Sequence, residues 1–270
     1  MAKIRIFQTG TTLVSPAVPD RSTRKSSIAY TGLFQRRKNR IEIPVKAFYV
    51  EVNGHRILID TGWGTDAATQ PLKHMGFGHW FASEPLVKES ETVINRLNNL
   101  GISPRDLDAV ILTHLDCDHV SGLIDVKGAK HIYASEQEIA VSKTKDVRYR
   151  KNYWKGVNIE PLKMIDDANA PFGKSCDLFG DGSVTAVLTP GHSAGSVCVV
   201  VNDNDHFAVI SGDTGYNRHS WEEIKLPGPM FSKEDVITSL QWVKAQSEKE
   251  NCAAILAAHD PEITDTEINI

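Results

Sequence analysis

The chain has 270 residues, 41% hydrophobic and 24% charged, which suits an ordinary folded protein with one substantial core or, less simply, two small ones. A net charge of −4 gives no general case for nucleic-acid binding. No stretch reaches the apolar length of a membrane span and the start lacks the apolar region of a signal peptide, so the expectation is a cytoplasmic protein without a membrane partner.

In chain order, residues 3–7 and 11–14 read as short strands. Residues 15–44 differ in character, with Pro16, Pro19 and Pro44, many Ser and Thr, and a run of basic side chains around one apolar island at 28–34. A connection this long suits a lid over a site, a dimer contact or a solvated surface loop. Residues 45–52 and 56–60 form a hairpin around Asn53-Gly54, and the second strand ends in Asp60-Thr61-Gly62. A short helix is expected over 67–75, followed by an aromatic stretch at 77–81 that suits either a pocket lining or a packed loop. The spacing of Val93, Ile94, Leu97 and Leu100 predicts a helix over 90–100, ended by Gly101.

The apolar strand 109–113 then ends abruptly in His114-Leu115-Asp116-Cys117-Asp118-His119. Each buried polar group there needs a partner, and a divalent cation satisfies all four at once. Next come a strand at 130–134, containing His131 as an ordinary partly buried histidine, and a helix opened by Ser135 with Glu138 at capping-box spacing. Residues 143–155 mix Lys and Arg with aromatics, as a solvated helical face would, or less simply an anion-recognition surface. The strand 185–188 runs into Thr189-Pro190-Gly191-His192, and the pair 197–201 and 207–210 ends at Gly212-Asp213 with Tyr216 close behind. Ser232 caps a helix carrying Val236, Ile237, Leu240 and Val243, and a last strand at 253–257 leads to His259-Asp260. The four cysteines have no paired spacing, and Cys198 and Cys252 read as small core residues.

Strand after strand thus ends in Asp or His: Asp60, His114, His192, Asp213 and His259. High strand content with a few interspersed helices predicts an α+β protein of two packed sheets with helices outside, its ligand-bearing loops converging at one edge.

On these motifs the chain resembles the metallo-beta-lactamase fold superfamily, and within it the N-acyl homoserine lactone lactonases. The resemblance implies a single domain over 1–270, a four-layer αβ/βα sandwich, with 15–44 as a substrate-covering segment. The family's His-x-His-x-Asp-His motif is matched by His114, Asp116, Asp118 and His119, and its later ligands by His192, Asp213 and His259. Asp60-Thr61-Gly62 matches the early structural motif, and Tyr216 the active-site tyrosine. Asp116 departs from the pattern by standing where the family has its second histidine. The implied first metal takes His114, Asp116, His192 and Asp213, and the second Asp118, His119, His259 and the shared Asp213. The added carboxylate shifts the expected preference from zinc toward manganese or iron, and Asp116 reaches its metal either directly or through water.

The resemblance implies hydrolysis of an acyl homoserine lactone-like ester by a metal-bridged hydroxide, with Tyr216 polarising the carbonyl and Asp118 relaying a proton to the leaving alkoxide. Phosphodiester or phosphomonoester hydrolysis at the same dinuclear centre is the main competing reading. A diiron redox enzyme and a non-catalytic metal-dependent binding module are weaker ones. A homodimer is a candidate assembly.

Overall fold

The computed structural model describes residues 1–270. Its first sheet takes β1 (Lys3–Val14), β2 (Ile41–Val52), β3 (His55–Ile59), β4 (Ser83–Leu86), β5 (Ala109–Ile111), β6 (Ile132–Ala134) and β7 (Glu160–Pro161). The second takes β8 (Ile165–Asp166), β9 (Lys174–Asp177), β10 (Val184–Leu188), β11 (Val197–Asp203), β12 (His206–Gly212) and β13 (Cys252–Ala257), after which β14 (Glu267–Asn269) returns to the first. The strand orders are β14-β1-β2-β3-β5-β6-β7, with β4 against the far half of β1, and β13-β12-β11-β10-β9-β8. Four neighbouring pairs, β3–β5, β5–β6, β6–β7 and β12–β13, are parallel. Parallel neighbours need crossovers, which put the intervening helices and loops on the outer faces.

Alternation along the strands builds the layers. On β2, Phe48 and Val50 face inward with Ile4, Ile6, Ile57, Ile59 and Ile111 to meet Val199, Val201, Ala208 and Ile210 of the second sheet. The intervening Ala47 and Tyr49 face outward with Leu58 and Val110, under Met75, Val93 and Leu97 of the first sheet's helices. On the far side Cys198, Phe207 and Val209 are covered by Val236, Leu240 and Val243 of the helix Lys233–Ser247. Helix, sheet, sheet, helix is therefore the observed order of layers. No helix is long and apolar enough to cross a membrane.

Several local expectations are corrected. The first two short strands are one strand, Lys3–Val14, whose register with β2 shifts between Gln8 and Thr11, where Gly10 has φ +99°. The predicted helix over 67–75 is two, Thr65–Thr69 and Pro71–Ala82; the second carries the aromatic stretch and bends at Gly76, φ +69°. His131 is exposed and paired with Glu160 rather than half-buried. The region after Val14 contains only short 3₁₀ turns, Arg21–Thr23, Ala29–Thr31 and Arg37–Asn39, and β2 begins already at Ile41. Within the apolar island Ile28, Leu33 and Phe34 are exposed, Phe34 at 96%. Residues 143–155 are not a helical face: they are turns ending in the 3₁₀ segment Lys151–Trp154, with Tyr149 and Tyr153 buried.

Candidate metal centre

Five strands, β3, β5, β10, β12 and β13, deliver their C-terminal loops to one edge, and all seven expected ligand residues meet there. His114, Asp116 and His192 form one group, Asp118, His119 and His259 a second, and His114, His119 and Asp213 a third that joins them, with ligand atoms within 4.8 Å in each group. Asp213 leans both ways. Its Oδ1 lies 3.1 Å from the Nε2 atoms of both His119 and His259, and its Oδ2 lies 3.5 Å from His192 Nε2.

Every histidine is held by its other nitrogen. His119 Nδ1 donates to Asp60 Oδ2 at 2.8 Å, His259 Nδ1 to the Pro44 carbonyl at 2.7 Å, and His192 Nδ1 to the Pro229 carbonyl at 3.1 Å. The Thr113 hydroxyl donates to Asp60 and so accepts from His114 Nδ1, 3.0 Å away. With Nδ1 protonated in all four rings, all four Nε2 lone pairs face the centre, the arrangement in which metal-ligating histidines are held by their outer partners. Asp60 is the common anchor. Besides His119 it accepts from the Thr113 backbone N–H at 2.8 Å, tying the end of β3 to the loop after β5.

The donor set fits divalent cations. Four buried atoms, His114 Nε2, His119 Nε2, His259 Nε2 and Asp213 Oδ1, have no hydrogen-bond partner in the protein. Two imidazole lone pairs facing one carboxylate oxygen are mutually repulsive unless a cation or proton lies among them. The electrostatics agree. Burial opposes charge on His119, yet the Asp213 and Asp60 carboxylates raise its pKa well above the ordinary histidine value. Burial opposes charge on Asp213 too, and His259 and His119 nonetheless hold it well below the usual carboxylate range.

Two residues missed at the sequence level organise the first group. Arg148 forks Asp116: Nε donates to Oδ1, and Nη2 donates to Oδ2 at 2.6 Å. The same guanidinium donates to the His192 carbonyl through Nη1 at 2.6 Å, and Nη2 stands 2.6 Å from His192 Nε2. The anion recognised by the basic stretch is thus internal. Glu138, fully buried, accepts from Leu115 N and Tyr149 Oη through one oxygen and from Ser193 Oγ and Gly195 N through the other. One carboxylate therefore fixes the loops bearing His114, Asp116 and His192. Its capping-box position concealed this, since the same spacing has a purely local explanation.

Tyr216 is buried beside the ligands, stacked on His259 with ring centroids 5.0 Å apart and edge-on to His192 at 5.9 Å. Burial first, then the Asp213, Asp118 and Asp116 carboxylates, push its pKa well above that of a free phenol, so it stays a hydrogen-bond donor. Behind it Val14 and Ile43 complete a small apolar cluster, with Val18 and Ile41 packed against it.

The fold and the paired ligand groups define a class, and the chain belongs to the metallo-beta-lactamase superfamily, whose family model matches residues 40–249. It is 30% identical over 223 residues to the N-acyl homoserine lactonase AttM of Rhizobium radiobacter, covering 82% of this chain and 83% of that protein. It is 25% identical over 232 residues to the N-acyl homoserine lactonase of Bacillus cereus, covering 83% and 84%. A solved N-acyl homoserine lactone hydrolase with N-hexanoyl-L-homoserine at its catalytic metal centre superimposes with a TM-score of 0.75 at 20% identity, covering 96% of this chain and 94% of that one. His259 lies beyond the matched 40–249 segment, so its assignment to the centre stands on geometry.

Proposed function

We propose that the chain hydrolyses the ring ester of an acyl homoserine lactone-like substrate at a dinuclear centre held by His114, Asp116, His192 and Asp213 on one side and by Asp118, His119, His259 and Asp213 on the other. The observation that carries the reading is Asp213, whose two oxygens face the two ligand groups as a bridging carboxylate would. The AttM and Bacillus cereus relatives supply the substrate class. Four imidazoles and three carboxylates suit manganese, iron or zinc. Two such cations supply Lewis acidity and an ionised water at neutral pH.

The protein's own residues supply the rest. Tyr216 keeps its phenolic proton and donates it as a hydrogen bond where negative charge develops on the ester carbonyl oxygen. Asp118, at the start of the helical turn Cys117–Val120, takes the proton lost by the attacking water and hands it to the leaving alkoxide. Phosphoester hydrolysis is less well supported, because Arg148, the basic side chain against the ligands, is already committed to Asp116.

The test is metal analysis of the purified protein followed by a substrate panel after reconstitution with zinc, manganese and iron. The panel holds acyl homoserine lactones, simple lactones and bis-aryl phosphodiesters. Ring opening of an acyl homoserine lactone is the expected result. Absence of lactone turnover with every metal would overturn the proposal.

A further inference from the structure

The two halves of the centre are unequally supplied with partners. In the half built from Asp118, His119 and His259, two imidazole nitrogens and Asp213 Oδ1 have no hydrogen-bond partner. In the half built from His114, Asp116 and His192, only His114 Nε2 lacks one. Arg148 engages both oxygens of Asp116 and also stands 2.6 Å from His192 Nε2. The guanidinium is not free to swing off, since Nη1 is bonded to the His192 carbonyl as well.

We propose that Arg148 is an intrinsic counter-cation that competes with the metal for Asp116 and His192, so that the two metal positions fill in order. The Asp118–His119–His259 position fills first and tightly, and the His114–Asp116–His192 position second and more weakly. The proposal rests on reading the seven residues as a dinuclear centre. Arginine stays charged at any working pH, so its competition cannot be titrated away. A metal must either share Asp116 Oδ2, which faces His192 Nε2 at 3.1 Å and His114 Nε2 at 3.4 Å, or displace the Nη2 donor. Residues 116 and 148 then form a matched pair. A carboxylate at 116 adds a negative charge at a buried position, and a fork-shaped cation from a segment 32 residues away offsets it.

The experiment strips the full-length protein of metal and titrates it with Zn²⁺ against a competing fluorescent chelator, with bound metal counted by mass spectrometry. Wild type should take up two equivalents in separate steps, the second about tenfold or more weaker than the first, since a metal there must displace or share charge-assisted hydrogen bonds. Arg148→Met, which frees Asp116 from its charge-assisted hydrogen bonds, should tighten the second step by about tenfold while leaving the first nearly unchanged. Arg148→Lys, which keeps the charge without the fork, should fall between them, and it serves if the methionine variant fails to fold by circular dichroism. Two indistinguishable steps in wild type would overturn the proposal, as would weakening of the second step by Arg148→Met, which would make the guanidinium a support for Asp116. Ordered filling without lactone turnover would sink the lactone reading and leave this one standing. Equal filling in an active lactonase would do the reverse.

Discussion

At the scale of single residues, the centre depends on what stands behind each ligand. His119 is aimed by Asp60, His259 by the Pro44 carbonyl and His192 by the Pro229 carbonyl, so ring orientation is set before any cation arrives. In the proposed reaction Tyr216 differs, because it contributes a hydrogen-bond donor rather than a lone pair. Tyr216→Phe keeps the ring stacked on His259 and removes only the donor. We expect kcat for lactone opening to fall by about 10²–10³-fold with metal content unchanged, the size of effect seen on losing one oxyanion donor. Steady-state kinetics beside metal counting checks this, and an unaltered kcat would reduce Tyr216 to packing. The cluster of candidate ligands was legible in the sequence because His and Asp at strand ends have few structural uses. Glu138 and Arg148 were not. Each sits in a local pattern, a capping box and a basic run, that explains it adequately until the fold brings distant loops alongside.

At the scale of elements, ligand geometry depends on loops held between a strand end and an outer helix. Gly191 is the clearest case. It takes φ +128°, and a Cβ there would lie 2.3 Å from Val236 N and 2.7 Å from the Asp235 carbonyl carbon, in the first turn of the helix Lys233–Ser247. Its carbonyl accepts from Phe231 N at 2.7 Å and Ser232 N at 3.1 Å, so the helix start is bonded to the residue preceding His192. Gly191→Ala is expected to cost at least about 2 kcal/mol by urea denaturation, from backbone strain together with overpacking. Bound metal should fall with it. A variant as stable and as metal-replete as wild type would refute this coupling. The hairpin at Asn53-Gly54 could be read from the chain because its turn chemistry is local, with φ +49° and +82° at the two residues. The continuity of Lys3–Val14 could not, since its bulge is specified by β2 and β4 on either side.

For the whole molecule, the seam between the sheets is the structural variable, and one charged residue lies across it. Lys46, fully buried in β2, donates through Nζ to the Asp260 carbonyl at 2.7 Å, in the loop that carries His259 from the second sheet. Burial lowers its pKa from 10.5 to about 8, partly opposed by Asp260. The folded pKa lies below the unfolded one, so between about 8 and 10.5 the unfolded chain binds more protons and stability rises with pH. The charged form is what costs stability at neutral pH, on the order of 3 kcal/mol. Relative to Lys46→Met, which has no such titration, wild type should gain about 2–3 kcal/mol between neutral pH and 10.5 in urea melts. A pH-independent difference would show that burial leaves the Lys46 pKa unshifted, so that the ammonium costs nothing in the seam.

The sequence by itself determined the local things: strand and hairpin positions, the run from His114 to His119, and the later partners His192, Asp213 and His259. It also carried the motif that identifies the superfamily. These follow from turn chemistry, side-chain alternation and the scarcity of bland explanations for clustered ligands. Only the tertiary structure decided that Asp213 faces both ligand groups, that Asp60 orients His119, that Glu138 ties two ligand loops together, and that Arg148 rather than solvent answers the extra charge of Asp116. Those relations join residues far apart in the chain, as Arg148 lies 32 and His192 76 positions from Asp116. Their physical reason is burial: a charge removed from water must find a partner, and which partner it finds depends on the packing of the two sheets, not on its neighbours in the chain.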